Sequence, residues 1–249
     1  MTDVEKLASI LKSSHGAVFF GGAGMSTESG VPDFRSANGI YNRKLHQEFR
    51  PEEMASHSFL VHHPEAFFEF YREHRIFHNI RPNAGHEALA ELERRGIVRL
   101  VVTQNIDGLH QAAGSQNVCE LHGSIARWPC TVCGTIYPTA YVLQEEHKPI
   151  PYCKACGGLV RPGVVLYGEG LDPDVLEKSI RAIRDADTLI VGGTSLVVYP
   201  AAGLIDYFQG RHLVLINQTE THADASADLV IRSPIGQVLK EAVATLPQR

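Results

Sequence analysis

The chain is predicted to fold as an α/β protein built on a parallel sheet, and three observations carry the prediction. Short apolar runs alternate with helical stretches of about 10–15 residues, the order that parallel strands and their crossover helices require. Several runs stop at a short polar turn: 21–27 after the first, 103–107 after the second, 192–195 and 217–219 after later ones. In an open parallel sheet such turns share the carboxyl edge, where ligands bind at the point at which strand order reverses. The 249 residues, 44% hydrophobic and 20% charged, suffice for a large core in one domain or in a large and a small one.

The N-terminal stretch MTDVEKLASILKSSHG places Val4, Leu7, Ile10 and Leu11 on one face of an amphipathic helix. Ala17–Phe20 is a buried strand. Ser36–Arg50 has no periodicity and reads as a loop able to fold over a ligand. Pro51–His78 is helical in pieces, and Pro64 begins a helix whose aromatic residues pack a core. His86–Arg95 is a helix ended by Gly96, and Val98–Thr103 is a strand. Val118–Leu121 is a short strand that delivers His122 and Gly123. After a cysteine segment over 125–160 come a strand at Val164–Tyr167, a helix at Pro173–Asp185 and a strand at Thr188–Val191. A helix at Pro200–Gln209, strands at His212–Asn217 and Leu229–Ile231, and a helix at Gly236–Ala244 close the chain.

The stretch Gly21–Arg35 is the centre of this arrangement. Gly21, Gly22 and Gly24 let the backbone approach a ligand closely, and Ser26 and Thr27 can cap or line the segment after them. As a dinucleotide fingerprint the match is partial: Thr27 stands where the third glycine belongs, and no acidic residue ends a second strand about 20 residues on. An ordinary glycine-rich turn remains an open reading of this stretch alone. The carboxyl edge should nonetheless gather Gly24, Gln104, Asn105, Asp107, Thr194, Ser195 and Asn217 into one crevice.

Composition excludes several classes. The net charge of −5 argues against a broad nucleic-acid-binding face. No apolar run approaches the roughly 18–20 residues of a membrane span, and the N-terminal stretch has no apolar signal core, so a cytoplasmic protein is expected. Cys130 and Cys133, then nineteen residues, then Cys153 and Cys156 form two C-x-x-C pairs. This spacing is that of a structural zinc site closed by four thiolates. Gly134 and Gly157 suit the knuckle turns, and Cys119 is left over as a buried small apolar residue. His147 carries no motif and is expected on the solvated surface.

Together the motifs resemble the sirtuin family, the NAD-dependent protein lysine deacylases, in its bacterial and archaeal form. The matching pieces are GAGMSTESGVPDFRS (22–36), TQNIDGLH (103–110), LHG (121–123), the four cysteines, RPGVVLYGE (161–169), GTSLVVYPAA (193–202) and LIN (215–217). The resemblance implies a Rossmann-like NAD-binding domain over 1–35, 80–124 and 161–249. It implies a smaller domain made of a helical module with the cofactor-binding loop over 36–79 and a zinc-binding module over 125–160. NAD, a consumed co-substrate, would be held by Ala23, Gly24, Thr27, Asp33, Phe34 and Arg35. Gln104, Asn105, Ile106 and Asp107 would surround its nicotinamide ribose and carboxamide, and Gly193, Thr194, Ser195 and Asn217 its adenosine side. His122 falls on the catalytic base, with Asn105 orienting the ribose or a water. Val164, Val165, Tyr167, Gly168 and Glu169 on one side, and Val197 and Tyr199 on the other, would flank an acyl-lysine peptide lying as an added strand.

The implied activity is acyl transfer from lysine to ADP-ribose with release of nicotinamide. An imidazole with an ordinary pKa near ~6.5 is suited to take a proton from a ribose hydroxyl. Alternatives are mono-ADP-ribosyl transfer, deacylation of other acyl groups, and a zinc-ribbon binding module with an NAD-sensing domain. Family members that take acidic acyl chains share a Tyr-x-x-Arg pair. Here Tyr71 is followed by His74, with Arg75 about 100° further round the helix, so a deacetylase with weak acidic-acyl activity, rising as His74 protonates, is expected.

Overall fold

The computed structural model describes residues 1–33, 39, 49–77 and 79–247. In chain order its regular elements are α1 (Asp3–Ser13), β1 (Ala17–Gly21), α2 (Pro51–Met54), α3 (His57–His62), α4 (Pro64–His74), α5 (Ala84–Arg94), β2 (Val98–Thr103), α6 (Leu109–Ala112), β3 (Val118–Glu120), β4 (Gly123–Ser124), β5 (Arg127–Pro129), β6 (Ile136–Pro138), α7 (Thr139–Val142), β7 (Gly163–Val164), α8 (Pro173–Arg184), β8 (Thr188–Gly192), β9 (His212–Ile216), β10 (Leu229–Ile231) and α9 (Ile235–Ala244).

Six strands form a parallel sheet in the order β10-β9-β8-β1-β2-β3. The chain leaves β1 in one direction and returns to its other side at β8, so strand order reverses between these two. β1 shows why the sheet needs cover on both faces. Its side chains alternate: Ala17 and Phe19 enter one core with α1, α5 and α9, while Val18 and Phe20 enter another with α8 and the segment 201–208. The α1 helix docks through Leu7 and Leu11, both fully buried. The Thr2 hydroxyl accepts from the Glu5 N–H, and the Glu5 carboxylate accepts in return from Thr2 N–H.

A third core joins the helical and cysteine-bearing insertions. Met54, Phe59, Phe67, Phe68, Phe70 and Tyr71 pack with Trp128, Val142, Val160 and Leu166. The fully buried Trp128 indole donates to the Ile125 carbonyl at 2.8 Å. The two insertions therefore form one smaller lobe beside the sheet.

Four sequence expectations are corrected. The helix expected at Pro200–Gln209 is a 3₁₀ segment over Ala201–Tyr207, closed by i→i+3 bonds such as Gly203 N–H to Pro200 O at 3.1 Å. The strand expected at Val164–Tyr167 pairs regularly only at Gly163–Val164, because the Glu169 N–H turns back onto the Leu166 carbonyl at 2.9 Å. The helix expected from His86 begins at Ala84, capped by Asn83. His147, expected on the solvated surface, is buried and stacks on Tyr141 at 3.7 Å. Among the described residues no helix is long and apolar enough to cross a membrane.

The turns after β1 and β8 touch through their backbones. Gly24 N–H donates to Gly193 O at 2.8 Å, and a Cβ on Gly24 would lie 2.8 Å from Gly193 Cα. Gly193 itself has φ +61°, and a Cβ there would meet Met25 N at 2.4 Å. Gly193→Ala should lower stability by at least about 2 kcal/mol, the sum of a left-handed alanine and a backbone clash. Urea unfolding of the variant checks this, and an unchanged midpoint would contradict the contact.

Candidate active site

Above the carboxyl ends of β1, β2, β8 and β9 lies a cleft of about 860 Å³. All seven residues expected in one crevice line it: Gly24, Gln104, Asn105, Asp107, Thr194, Ser195 and Asn217. Ala23, Thr27, Asp33, Ile106, His122 and Gly193 line it as well. Phe34, Arg35 and most of the expected Ser36–Arg50 loop lie outside the described residues.

Hydrogen bonds between turns fix this wall. Ser26 is fully buried; its hydroxyl donates to Asp107 Oδ2 at 2.7 Å and accepts from Asn105 Nδ2 at 3.0 Å. Asp107 Oδ1 accepts from Leu109 N–H at 2.9 Å. Burial lifts the Asp107 carboxyl above its usual range, against the hydrogen bonds from Leu109 and Ser26. On the other flank Gln104 Nε2 donates to Thr194 Oγ1 at 3.1 Å. Asn217 and Thr194 exchange two bonds, Thr194 N–H to Asn217 Oδ1 at 3.1 Å and Asn217 Nδ2 to Thr194 O at 2.6 Å.

His122 leaves β3 toward the cleft, and its Nδ1 lies 2.9 Å from the Gln104 carbonyl. A carbonyl only accepts, so Nδ1 carries the proton and Nε2 is left as an acceptor. Burial pushes the imidazole below its usual pKa, opposed by the bond to Gln104. The ring is thus neutral at physiological pH, the state a general base needs.

The segment 164–169, packed on the smaller lobe, supplies the opposite wall. Val165 N–H donates to the His122 carbonyl at 2.9 Å, and Tyr167 N–H to the Ala55 carbonyl at 3.1 Å, so 164–169 spans from the histidine to the helical insertion. Burial alone would raise the Glu169 carboxyl, but bonds from Arg161, the Leu166 N–H and His57 hold it at about 2. Val164, Val165, Tyr167, Gly168, Glu169 and Tyr199 line the cleft; Val197 is exposed and does not.

Tyr71 lines the cleft, and burial, partly offset by Arg75 and Arg161, keeps its phenol protonated up to about 12. His74 does not line it: its ring packs on Phe70 at 5.6 Å and its Nε2 lies 3.5 Å from Glu73. Arg75 does line it and is buried. Arg75 is the C-cap of α4, its N–H still bonded to the Tyr71 carbonyl at 3.0 Å, and its side chain reaches the cleft from there, which helix phase alone did not lead one to expect. The cationic side chain at this end of the cleft is arginine, so the expected pH-dependent role of His74 loses its geometry.

The four cysteine sulfurs lie within 4.8 Å of one another, with Cys130–Cys156 and Cys133–Cys153 at 3.5 and 3.6 Å. Tetrahedral zinc with bonds of about 2.3 Å requires sulfurs roughly 3.8 Å apart, so the set fits the ion and leaves no open coordination position. Each knuckle repeats the same turn, with Gly134 N–H to Cys130 O and Gly157 N–H to Cys153 O. Cys119 is buried in the sheet core, as expected.

Residues 22–200 match the family model described as the Sir2 family. A relative from Clostridium perfringens named NAD-dependent protein deacetylase is 57% identical over 96% of this chain and 98% of its own. One of the same name from Cutibacterium acnes is 54% identical over 94% and 95%. Among solved structures, Sir2 with a deacetylated p53 peptide and 3′-O-acetyl ADP ribose superposes with a TM-score of 0.89 at 36% identity, covering 98% of both chains. A Sir2 homolog–NAD complex gives 0.86 at 41% identity, covering 96% of this chain and 92% of that one.

Elemental analysis should find one zinc per chain. Cys153→Ser, at a buried sulfur beneath the shared core, should release it and lower the thermal midpoint; full zinc retention in that variant would contradict a four-thiolate site.

Proposed function

The chain belongs to the Sir2 family, the sirtuins, and on that premise we infer that it is an NAD-dependent protein lysine deacetylase. The acetyl group of an acetyl-lysine passes to ADP-ribose, releasing nicotinamide and 2′-O-acetyl-ADP-ribose. NAD is consumed: the acetyl-lysine carbonyl oxygen bonds to the ribose C1′ as the bond to nicotinamide breaks, and water later frees the lysine amine as the acetyl group stays on the ribose. Zinc is structural. Protein or peptide acyl-lysine is the substrate class, in keeping with the p53 peptides bound in related structures.

The observation that carries the mechanism is the tautomer of His122. With Nδ1–H held by the Gln104 carbonyl, Nε2 takes the proton of a ribose hydroxyl as that oxygen attacks the acyl carbon. Asn105 commits its Nδ2 to Ser26, so Oδ1 is the atom that orients a ribose hydroxyl or the hydrolytic water. Asp107, set by Ser26 and Leu109, accepts from the nicotinamide carboxamide. Ala23, Gly24 and Thr27 hold the pyrophosphate, and Thr194, Ser195 and Asn217 the adenosine. The substrate peptide adds as a strand between 164–169 and 197–199, with Tyr71 and Arg75 lining the cleft beside it. In this reading 1–35, 80–124 and 161–249 bind the nucleotide, while 36–79 and 125–160 close the cleft. The protein acts in the cytoplasm on proteins, not on nucleic acid.

Incubation with NAD and an acetyl-lysine peptide should yield nicotinamide and O-acetyl-ADP-ribose in equal amounts. His122→Ala should lower turnover by at least about 100-fold, and the wild-type acid limb of kcat/KM should lie below about pH 6.5. Label from NAD retained on protein without O-acetyl-ADP-ribose would point to ADP-ribosyl transfer. An acid limb above pH 7 would contradict the buried neutral base.

A further inference from the structure

Asn83, the N-cap of α5, is not among the residues lining the cleft, yet its carboxamide is engaged on both sides. Oδ1 accepts from the N–H groups of Gly85 at 2.9 Å and His86 at 3.4 Å. Nδ2 donates to the Met25 carbonyl at 2.8 Å and to Ser29 Oγ at 3.0 Å. The orientation of the amide follows from its partners, since backbone N–H groups require the oxygen and a carbonyl requires the nitrogen. The Asn83 N–H donates to His86 Nδ1 at 3.3 Å.

Met25 and Ser29 bracket Ser26, the residue that sets Asp107 and Asn105. The Ser26 carbonyl accepts from Ser29 N–H at 3.0 Å and Val31 N–H at 3.2 Å, so Ser26 moves with the segment Asn83 holds. The α5 helix is itself a fixed anchor: a Cβ on Gly85 would lie 2.8 Å from Met25 Cε and 2.9 Å from Gly236 Cα. Capping a helix uses only Oδ1. The two Nδ2 donations serve something else.

Resting on the nucleotide reading above, we propose that Asn83 is a positioning residue: its amide nitrogen locks the turn after β1 so that Ser26 orients Asp107 and Asn105 toward the nicotinamide ribose. Its effect on the reaction passes through Ser26 and not through contact with NAD. Aspartate caps a helix as well as asparagine. Asn83→Asp therefore keeps the Oδ1 bonds, removes both donations and faces the Met25 carbonyl with an oxygen.

The test is the rate of nicotinamide release from NAD and an acetyl-lysine peptide, in the whole chain and in a Ser26→Ala background. Asn83→Asp should stay folded at assay temperature, with a thermal midpoint a few degrees lower for the two lost donations, and should lower kcat/KM for NAD about tenfold. In the Ser26→Ala background its loss should shrink to about twofold or less, the signature of two residues acting through one path. A loss within about twofold in the otherwise wild-type chain, or an equal loss in both backgrounds, overturns the proposal. If Asn83→Asp does not fold at assay temperature, Ser29→Ala replaces it, with a loss of about threefold that also vanishes without Ser26; no loss overturns the proposal. A wild-type chain that releases no nicotinamide refutes the functional reading instead, so the two failures are distinct.

Discussion

The structure depends on how closely two backbones approach where the sheet reverses direction. Gly24 and Gly193 lie against each other with no side chain between them, joined by a 2.8 Å hydrogen bond. That contact brings the turn after β1 across the end of β8 and leaves Ser26 buried beneath it. From there Ser26 reaches Asn105 and Asp107 beyond β2, while Thr194 reaches Gln104 on one side and Asn217 on the other. Four turns from distant parts of the chain become one rigid wall. A preorganised wall is what a reaction requires when it expels a leaving group in a site closed to water.

His122 lies where this wall meets the smaller lobe. Its ring is tied to the sheet through Gln104, and its carbonyl accepts from Val165, the first link of the opposite wall. The far end of that segment is pinned by Glu169 to Arg161 and His57 and by Tyr167 to Ala55. Behind it, Trp128 and the aromatic face of α4 bind the helical insertion to the cysteine knuckles. The four thiolates thus influence the cleft through packing: they hold the ribbon that holds the segment beside the histidine.

Much of this was legible in the sequence because it depends on local chemistry. Apolar runs of strand length, glycines that permit a close backbone approach, and paired cysteines each mark a position without reference to distant residues. The crevice followed from topology alone, since parallel strands put their turns on one edge. What was not legible depends on partners far away in sequence. Ser26 could be seen to line the turn, but nothing along the chain shows that it joins Asn105 to Asp107, 79 and 81 positions away. Arg75 was misjudged because helix phase gives the direction of a Cβ, not how far a long side chain at the C-cap of α4 can reach. His147 looked like surface because its stacking partner, Tyr141, precedes it in a segment without periodicity. The 3₁₀ turns at 201–207 carry the same residues a helix would, and their i→i+3 hydrogen bonding leaves no sequence mark.

The central claim is that the Nε2 atom of His122 faces a ribose hydroxyl of a nucleotide lying beneath the glycine turn. A crystal structure of the chain with a non-hydrolysable NAD analogue and an acetyl-lysine peptide measures that distance directly. The expected result is a separation of about 2.6–3.2 Å, with Nδ1 still bonded to the Gln104 carbonyl. A nucleotide bound elsewhere, or an imidazole turned away from it toward solvent, would contradict the account.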